Sequence, residues 1–214
     1  MIDGEVAAKA WLRGALGCDT VCMERLERFV GLLLEENTRQ NLVAASSLAE
    51  VWTRHIADSA QLAALDPGVG PWLDLGTGAG FPGLIVSLLR PGQHILVESR
   101  ARRADWLRRA AGALGAANAT VVEARVERVA AFAAGTISGR AFAPLDRLLA
   151  LAKPFSTRET RWLLPKGRNG FKELSAMPKT IRTMFHVEPS LTDCEAAILV
   201  GRGVPDVSPS RSVR

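Results

Sequence analysis

The sequence predicts an α/β fold in which strands and helices alternate around an open sheet, and three observations predict it. From residue 72 onward, apolar runs of strand length alternate with stretches whose apolar residues recur at helical spacing. One such run, Pro71-Trp72-Leu73-Asp74-Leu75, opens directly into a glycine-rich segment ending at Gly83, and the helical pattern Leu84-Ile85-Val86-Ser87-Leu88-Leu89 follows. The chain has 214 residues, 48% of them hydrophobic, which is enough for one substantial core. No window approaches the roughly 18 apolar residues of a membrane span, and no N-terminal apolar stretch follows a basic segment, so a cytoplasmic protein is expected.

Taken in order, the elements begin with helices. Leu26, Phe29, Val30 and Leu33 follow the i, i+3, i+4, i+7 pattern and predict an amphipathic helix over about 20–37. Ser47 and Glu50 have capping-box spacing ahead of Leu48, Val51, Trp52, Ile56, Leu62 and Ala63, which predicts a second helix. Strands are then expected near 72–75, 94–97, 119–123, 136–138, 161–164, 181–187 and 196–200, with helices near 83–89, 101–114, 127–134, 144–152 and 170–176. No helical pattern separates the last two strands, so they should form an antiparallel hairpin at the sheet edge. From Arg202 on, Gly, Pro, Ser and Arg without apolar periodicity suggest a frayed basic tail.

The segment Asp74-Leu75-Gly76-Thr77-Gly78-Ala79-Gly80-Phe81-Pro82-Gly83 carries the strongest chemical signal. Glycines between a strand and a helix let the backbone turn sharply and approach a ligand where a Cβ would collide, although a tight turn without a ligand is the structural alternative. A second acid, Glu98, ends the next apolar strand, His94-Ile95-Leu96-Val97, where a carboxylate can accept two ribose hydroxyls. Dinucleotides and S-adenosylmethionine (SAM) both offer those hydroxyls. Pro82 lacks the N–H that a pyrophosphate-binding turn would present, which favours a cofactor without phosphates.

Charge is unevenly spread along a chain of net charge +5. Residues 1–36 hold seven acids against four bases, whereas residues 140–172 hold eight bases against two acids. Arg100, Arg102, Arg103, Arg108 and Arg109 form another cluster directly after Glu98. Both basic clusters follow strand ends, the side on which open α/β sheets place their sites, and a polyanion substrate would account for this. Solvated helix faces are the alternative. Cys18, Cys22 and Cys194 form no metal-ligand set and read as reduced thiols, Cys18 and Cys22 stacking on one helix face. His55 lies on an apolar stripe between Trp52 and Ile56, where a core histidine with Asp58 as its partner is the plain reading, and Asn41 suits a turn or cap.

Several separated motifs together resemble a known family. These are Asn41-Leu42, Arg54-His55-Ile56-Ala57-Asp58-Ser59, the loop from Asp74 to Gly83, Glu98-Ser99 with Arg102-Arg103, Arg125-Val126-Glu127, Arg140-Ala141-Phe142-Ala143 and Leu164-Pro165-Lys166-Gly167. In this order and spacing, over about residues 25–202, the chain resembles the bacterial glucose-inhibited division protein B family, methyltransferases acting on N7 of a guanine in 16S ribosomal RNA.

The resemblance implies a Rossmann-like class I SAM-dependent methyltransferase fold: a seven-stranded mixed sheet flanked by helices. Residues 1–65 would be a helical cap, 66–202 the SAM-binding core and 203–214 the basic tail. It implies that Gly76, Gly78, Gly80 and Phe81 run beneath the methionine part of SAM and that Asp74 orients them. Glu98 would take the ribose, and Val126 and Glu127 would lie along the adenine. Arg140 matches a family residue at the cofactor and, with Lys166 and His55, is a candidate for the catalytic pocket. Asn41, Arg102, Arg103, Lys166 and Arg168 are candidates for contacts with 16S RNA or the small ribosomal subunit. No metal and no membrane partner are expected, and the chain should act as a monomer.

The missing residues fit the implied chemistry. Guanine N7 has a free lone pair, so displacement on a sulfonium methyl needs no general base. After the fourth strand comes Gly139-Arg140-Ala141-Phe142-Ala143-Pro144, without the Pro-Pro-aromatic string that grips an exocyclic amine or the Pro-Cys nucleophile of cytosine-C5 chemistry. Two other readings stay open at this level: a nicotinamide-dependent oxidoreductase, and a noncatalytic RNA-binding module on a methyltransferase fold.

Overall fold

The computed structural model describes residues 1–66, 68 and 70–207. At its centre lies β1 (Trp72–Leu75), four residues buried on both faces. Strands covered on both faces read as continuous apolar runs, which is why this stretch lacks strand alternation. Around it the described residues form one seven-stranded sheet with β2 (His94–Glu98), β3 (Ala119–Glu123), β4 (Thr136–Ser138), β5 (Arg161–Lys166), β6 (Phe185–Pro189) and β7 (Ala197–Arg202), in the order β3-β2-β1-β4-β5-β7-β6. The first five strands are parallel, while β7 runs antiparallel to both β5 and β6. The chain therefore winds outward from β1 through β2 to β3, then restarts on the other side with β4. That reversal leaves a crevice beyond the carboxyl ends of β1 and β4, the position where doubly wound sheets bind ligands.

Helices cover both faces. α1 (Gly4–Leu16) and α2 (Thr20–Asn37) precede a short α3 (Ala45–Leu48), a π-helical turn at Trp52–Ala57 and α4 (Asp58–Leu65). α5 (Gly83–Leu89) and α6 (Ala101–Leu114) follow β1 and β2, and α7 (Leu145–Ala152), α8 (Gly170–Ser175) and α9 (Lys179–Arg182) complete the second half. The N-terminal helices share one apolar core with α5 and α6. Phe29 on α2 is its pivot, fully buried with its ring 5.5 Å from Phe81 in the glycine loop and 6.2 Å from Trp106 on α6. No described helix is long and apolar enough to cross a membrane.

Several expectations are corrected. The stretch 127–134 is not a helix: a 3₁₀ turn at Val126–Arg128 gives way to irregular chain, and Phe132 packs edge-on against Phe155 with ring centroids 5.4 Å apart. Residues 179–182 form α9, and β6 begins only at Phe185, because Ile181 is buried as part of a helical turn after Pro178. The single helix expected from Ser47 is broken into α3, the π turn and α4, and Ser47 makes no cap: its hydroxyl donates to the Ala44 carbonyl at 2.7 Å. Helix α1 was not anticipated.

Cys18 and Cys22 are joined by a disulfide rather than held as separate thiols on one helix face. Asp19 caps α2 by accepting from the Cys22 N–H at 2.8 Å, so Cys18 sits outside the helix, its Cα 5.4 Å from that of Cys22 and within disulfide reach. Cys194 is free and exposed. The tail expected at 203–214 lies outside the described residues from 208 on.

Candidate active site

The glycine loop is fixed from below by Asp74. This carboxylate is fully buried, and its Oδ2 accepts the Gly83 N–H at 3.0 Å while Oδ1 accepts the Ser138 hydroxyl at 2.6 Å. Ser138 also accepts the Trp72 indole N–H at 2.8 Å, tying β1, β4 and the start of α5 into one network. Burial pushes the Asp74 carboxyl above its ordinary range, and these hydrogen bonds oppose the shift. Gly83 has to be glycine here, because a Cβ would stand 2.5 Å from Leu96 Cδ2 and 2.6 Å from Asp74 Cβ.

At the end of β2, Glu98 is buried and turned towards the same loop. Its Oε2 accepts the Gly78 N–H at 3.0 Å and its Oε1 accepts the Arg100 N–H at 2.9 Å. Each oxygen keeps a lone pair for a ligand hydroxyl. Four further loop amides are also engaged internally: Gly76 and Thr77 donate to the Val97 carbonyl, and Gly80 and Phe81 donate to that of Thr77. With Pro82 lacking an N–H and the Gly78 and Gly83 amides held by carboxylates, the loop has few free N–H groups to offer a pyrophosphate. A ligand that shows hydroxyls to Glu98 and small uncharged surface to Gly76 and Gly78 fits what remains. Val126 is buried and Glu127 exposed in the turn after β3, next to β2, where Glu98 pairs in register with Glu123.

Arg140, immediately after β4, is held on three sides. Its guanidinium donates from Nη1 to Asp58 Oδ2 at 2.9 Å and to the Arg54 carbonyl at 3.1 Å, and from Nη2 to His55 Nδ1 at 3.2 Å. It also lies over the Phe81 ring, 4.9 Å from the centroid, and that ring stacks on His55 at 4.8 Å. Because His55 Nδ1 accepts from Arg140, the ring carries its proton on Nε2 and donates to Ser47 Oγ at 2.8 Å. Burial, with the nearby charges of Arg140 and Arg54, pushes the His55 pKa down to about 3. His55 is therefore a neutral positioning group behind Arg140, and Asp58 is the partner of Arg140 rather than of His55.

Lys166, at the end of β5, donates to Glu173 Oε2 at 2.8 Å and to the Ala143 carbonyl at 3.3 Å. The same Glu173 oxygen accepts the Leu145 N–H at 3.0 Å. Arg140 and Lys166 thus hold the two ends of the segment after β4, and both line a cavity of about 1760 Å³ between the N-terminal helices and the second half of the sheet. A second, smaller cleft of about 370 Å³ brings Asn41 together with Gln40, Arg100, Arg102 and Arg103. Gln40 joins the two sides of this cleft by donating to the Arg102 carbonyl at 3.3 Å. The Arg103 guanidinium reaches the glycine loop, its Nη1 3.8 Å from where a Gly78 Cβ would stand. Arg168 stands apart on the surface, paired with Glu195 at 2.9 Å.

The comparison that decides the family is with a model described as rRNA small subunit methyltransferase G, which matches residues 22–198. The chain belongs to this family. A relative of that name from Sphingopyxis alaskensis is 53% identical, the match covering 95% of this chain and 88% of the relative. Another, from Novosphingobium aromaticivorans, is 51% identical over 98% of this chain and 93% of its own. Among solved structures, an RNA methyltransferase from Salinibacter ruber in complex with S-adenosyl-L-homocysteine superimposes with a TM-score of 0.53 at 13% identity, covering 74% of this chain and 95% of that one. The fold is accordingly the Rossmann-like fold of SAM-dependent methyltransferases. A nicotinamide-dependent oxidoreductase is set aside, and so is a cofactor loop built for phosphates.

Sequence reasoning missed Asp58, Glu173 and Ser47 as the groups that hold Arg140, Lys166 and His55. Asp58 lies in the motif from Arg54 to Ser59, but nothing local points it at a residue 82 positions away.

Proposed function

We propose that this protein transfers a methyl group from SAM to N7 of a guanine in small-subunit ribosomal RNA, by direct displacement and without a general base. When bound, SAM supplies a methyl group on a positively charged sulfur. The residues of the chain bind and orient. Glu98 accepts the ribose hydroxyls, Gly76, Gly78, Gly80 and Phe81 carry the methionine part, and Val126 and Glu127 flank the adenine. Asp74 keeps the loop in place.

The observation that carries the reading is the pairing of Arg140 and Lys166, two of the four side-chain cations that line the large cavity, the others being Arg54 and Lys172. Methylation at N7 makes the base cationic, which unpaired Arg140 and Lys166 would oppose. Each is neutralised by its own carboxylate, Asp58 at 2.9 Å and Glu173 at 2.8 Å, and His55 is held neutral. These cations can donate hydrogen bonds to the RNA without adding net positive charge beside the developing cation. Among the described residues every buried carboxylate and histidine already has hydrogen-bond partners, in keeping with a reaction that moves no proton. Alignment is then the main source of rate, and well-oriented reactants supply about 7–11 kcal/mol by that route. Asn41, Arg102 and Arg103 in the smaller cleft, with Arg168 and Lys166, serve the RNA backbone, whose binding should weaken steeply with salt.

In this reading residues 1–65 cap a core of 66–202, residues 203–214 are a basic tail, and the chain works as a cytoplasmic monomer. Mapping N7-methylguanine in small-subunit RNA from cells with and without the protein tests the proposal. The mark should be present only where the protein is, and an identical modification pattern in both would refute it.

A further inference from the structure

Phe142 touches both halves of the site, yet neither half assigns it a role. Its ring lies on the glycine loop, Cδ2 standing 2.6 Å from where a Cβ on Gly76 would be, so the missing Cβ of Gly76 makes room for this ring. Phe142 also lines the large cavity with Arg140 and Lys166, whereas no described residue of the glycine loop does. The ring is half-buried, and the preceding Ala141 has a left-handed φ of 53°. A non-glycine residue keeps such a conformation only where its surroundings over-determine it. Here Asp58 and His55 hold Arg140 on one side, while Lys166 on the Ala143 carbonyl and Glu173 on the Leu145 N–H hold the other. A segment pinned at both ends presents an aromatic ring at its middle.

We propose that Phe142 is the surface on which the target guanine stacks, and that its π face stabilises the cation formed at that base. The inference rests on the N7 reading above and adds a base-contacting residue to it. Unpaired RNA bases are recognised by stacking on aromatic rings, and the negative face of such a ring attracts a cation. The aromatic ring of the glycine loop itself is taken, since Phe81 carries Arg140 on its face and stacks on His55. In the transfer, the N7 lone pair forms the new N–CH₃ bond as the S–CH₃ bond breaks and its electron pair stays on sulfur. Positive charge passes from the sulfonium to the guanine ring, no proton moves, and the ring beside N7 meets that charge as it develops.

The test compares wild type with Phe142→Leu, which keeps apolar volume without a π face, and Phe142→Tyr, which restores the π face. Methyl transfer to small ribosomal subunits, SAM affinity by calorimetry, subunit affinity and thermal unfolding are measured for all three. F142L should lose about tenfold or more in kcat/KM and bind subunits more weakly, with SAM affinity and unfolding unchanged, and F142Y should recover most of the loss. Wild-type kcat/KM in F142L overturns the inference, as does a loss in F142L matched by an equal loss of SAM affinity or one that F142Y does not recover. If the wild type itself leaves guanine N7 unlabelled, the proposed function fails first and takes the inference with it.

Discussion

Arg140 donates to Asp58 at 2.9 Å, a pair that joins the end of β4 to the first turn of α4 and fixes the N-terminal helices to the reacting edge of the sheet. The side chains are only 21% and 18% exposed, and Asp58 Oδ1 is also hydrogen-bonded by Gln61 and Thr192. Removing one partner of such a pair leaves a largely buried charge. Asp58→Ala should destabilise the protein by about 2–4 kcal/mol, at or below the range for buried pairs because some solvent reaches this one. Asp58→Asn, which keeps the acceptors, should lose less. Urea unfolding of the two variants checks the order, and equal stability of Asp58→Ala and wild type would refute it.

His55 makes stability depend on pH in a defined window. Its folded pKa of about 3 lies below the ordinary histidine value of 6.5, so the unfolded chain takes up a proton that the folded chain refuses. A depressed folded pKa contributes stability that is present above 6.5 and is lost as pH falls towards 3. The slope through that window is about 1.4 kcal/mol per pH unit, so His55 accounts for about 2–3 kcal/mol lost between pH 7.5 and 4.5. His55→Gln removes the titration, and its unfolding free energy should fall less over the same interval. His94, also pushed down by burial, is present in both proteins and cancels. Identical pH slopes would contradict the account.

Gly83 packs against Leu96 and Asp74 more closely than any Cβ permits. Gly83→Ala should cost about 1–3 kcal/mol through overpacking. The same change should weaken SAM binding, because the Asp74–Gly83 contact anchors the loop. Calorimetric unfolding with and without SAM measures both effects, and a variant as stable as wild type would show that the loop tolerates the extra carbon.

Glu98 accepts the Gly78 and Arg100 amides, and the proposed function gives it the ribose as well. Glu98→Ala should therefore lower SAM affinity by at least tenfold, which is about 1.4 kcal/mol. Glu98→Gln, with one carboxylate oxygen replaced by a donor, should fall between the two. Titration calorimetry reads this directly, and unchanged affinity in Glu98→Ala would reject the ribose assignment.

Much of this was legible in the sequence because local chemistry encodes it. β1, the glycine loop and Glu98 could be read because a doubly covered strand is a continuous apolar run and because close backbone approach demands glycine. Helix α1 was harder: only Ala8 and Leu12 are buried along it, and Gly4 and Gly14 dilute the pattern. The break at Trp52–Ala57 was not legible, since a change in helical hydrogen-bond register leaves the apolar stripe almost unaltered. The Cys18–Cys22 bridge turned on where α2 begins, which the Asp19 cap sets. Pairing of Arg140 with Asp58 and of Lys166 with Glu173 depends on tertiary approach, so sequence spacing could nominate the cations without naming their partners.

The central claim is methyl transfer to guanine N7. The purified protein should be incubated with SAM labelled in its methyl group and small ribosomal subunits from cells lacking the enzyme, and the RNA then digested to nucleosides. The account predicts label in N7-methylguanosine from the small-subunit RNA. Label on any other atom or base, or no label at all, would contradict it.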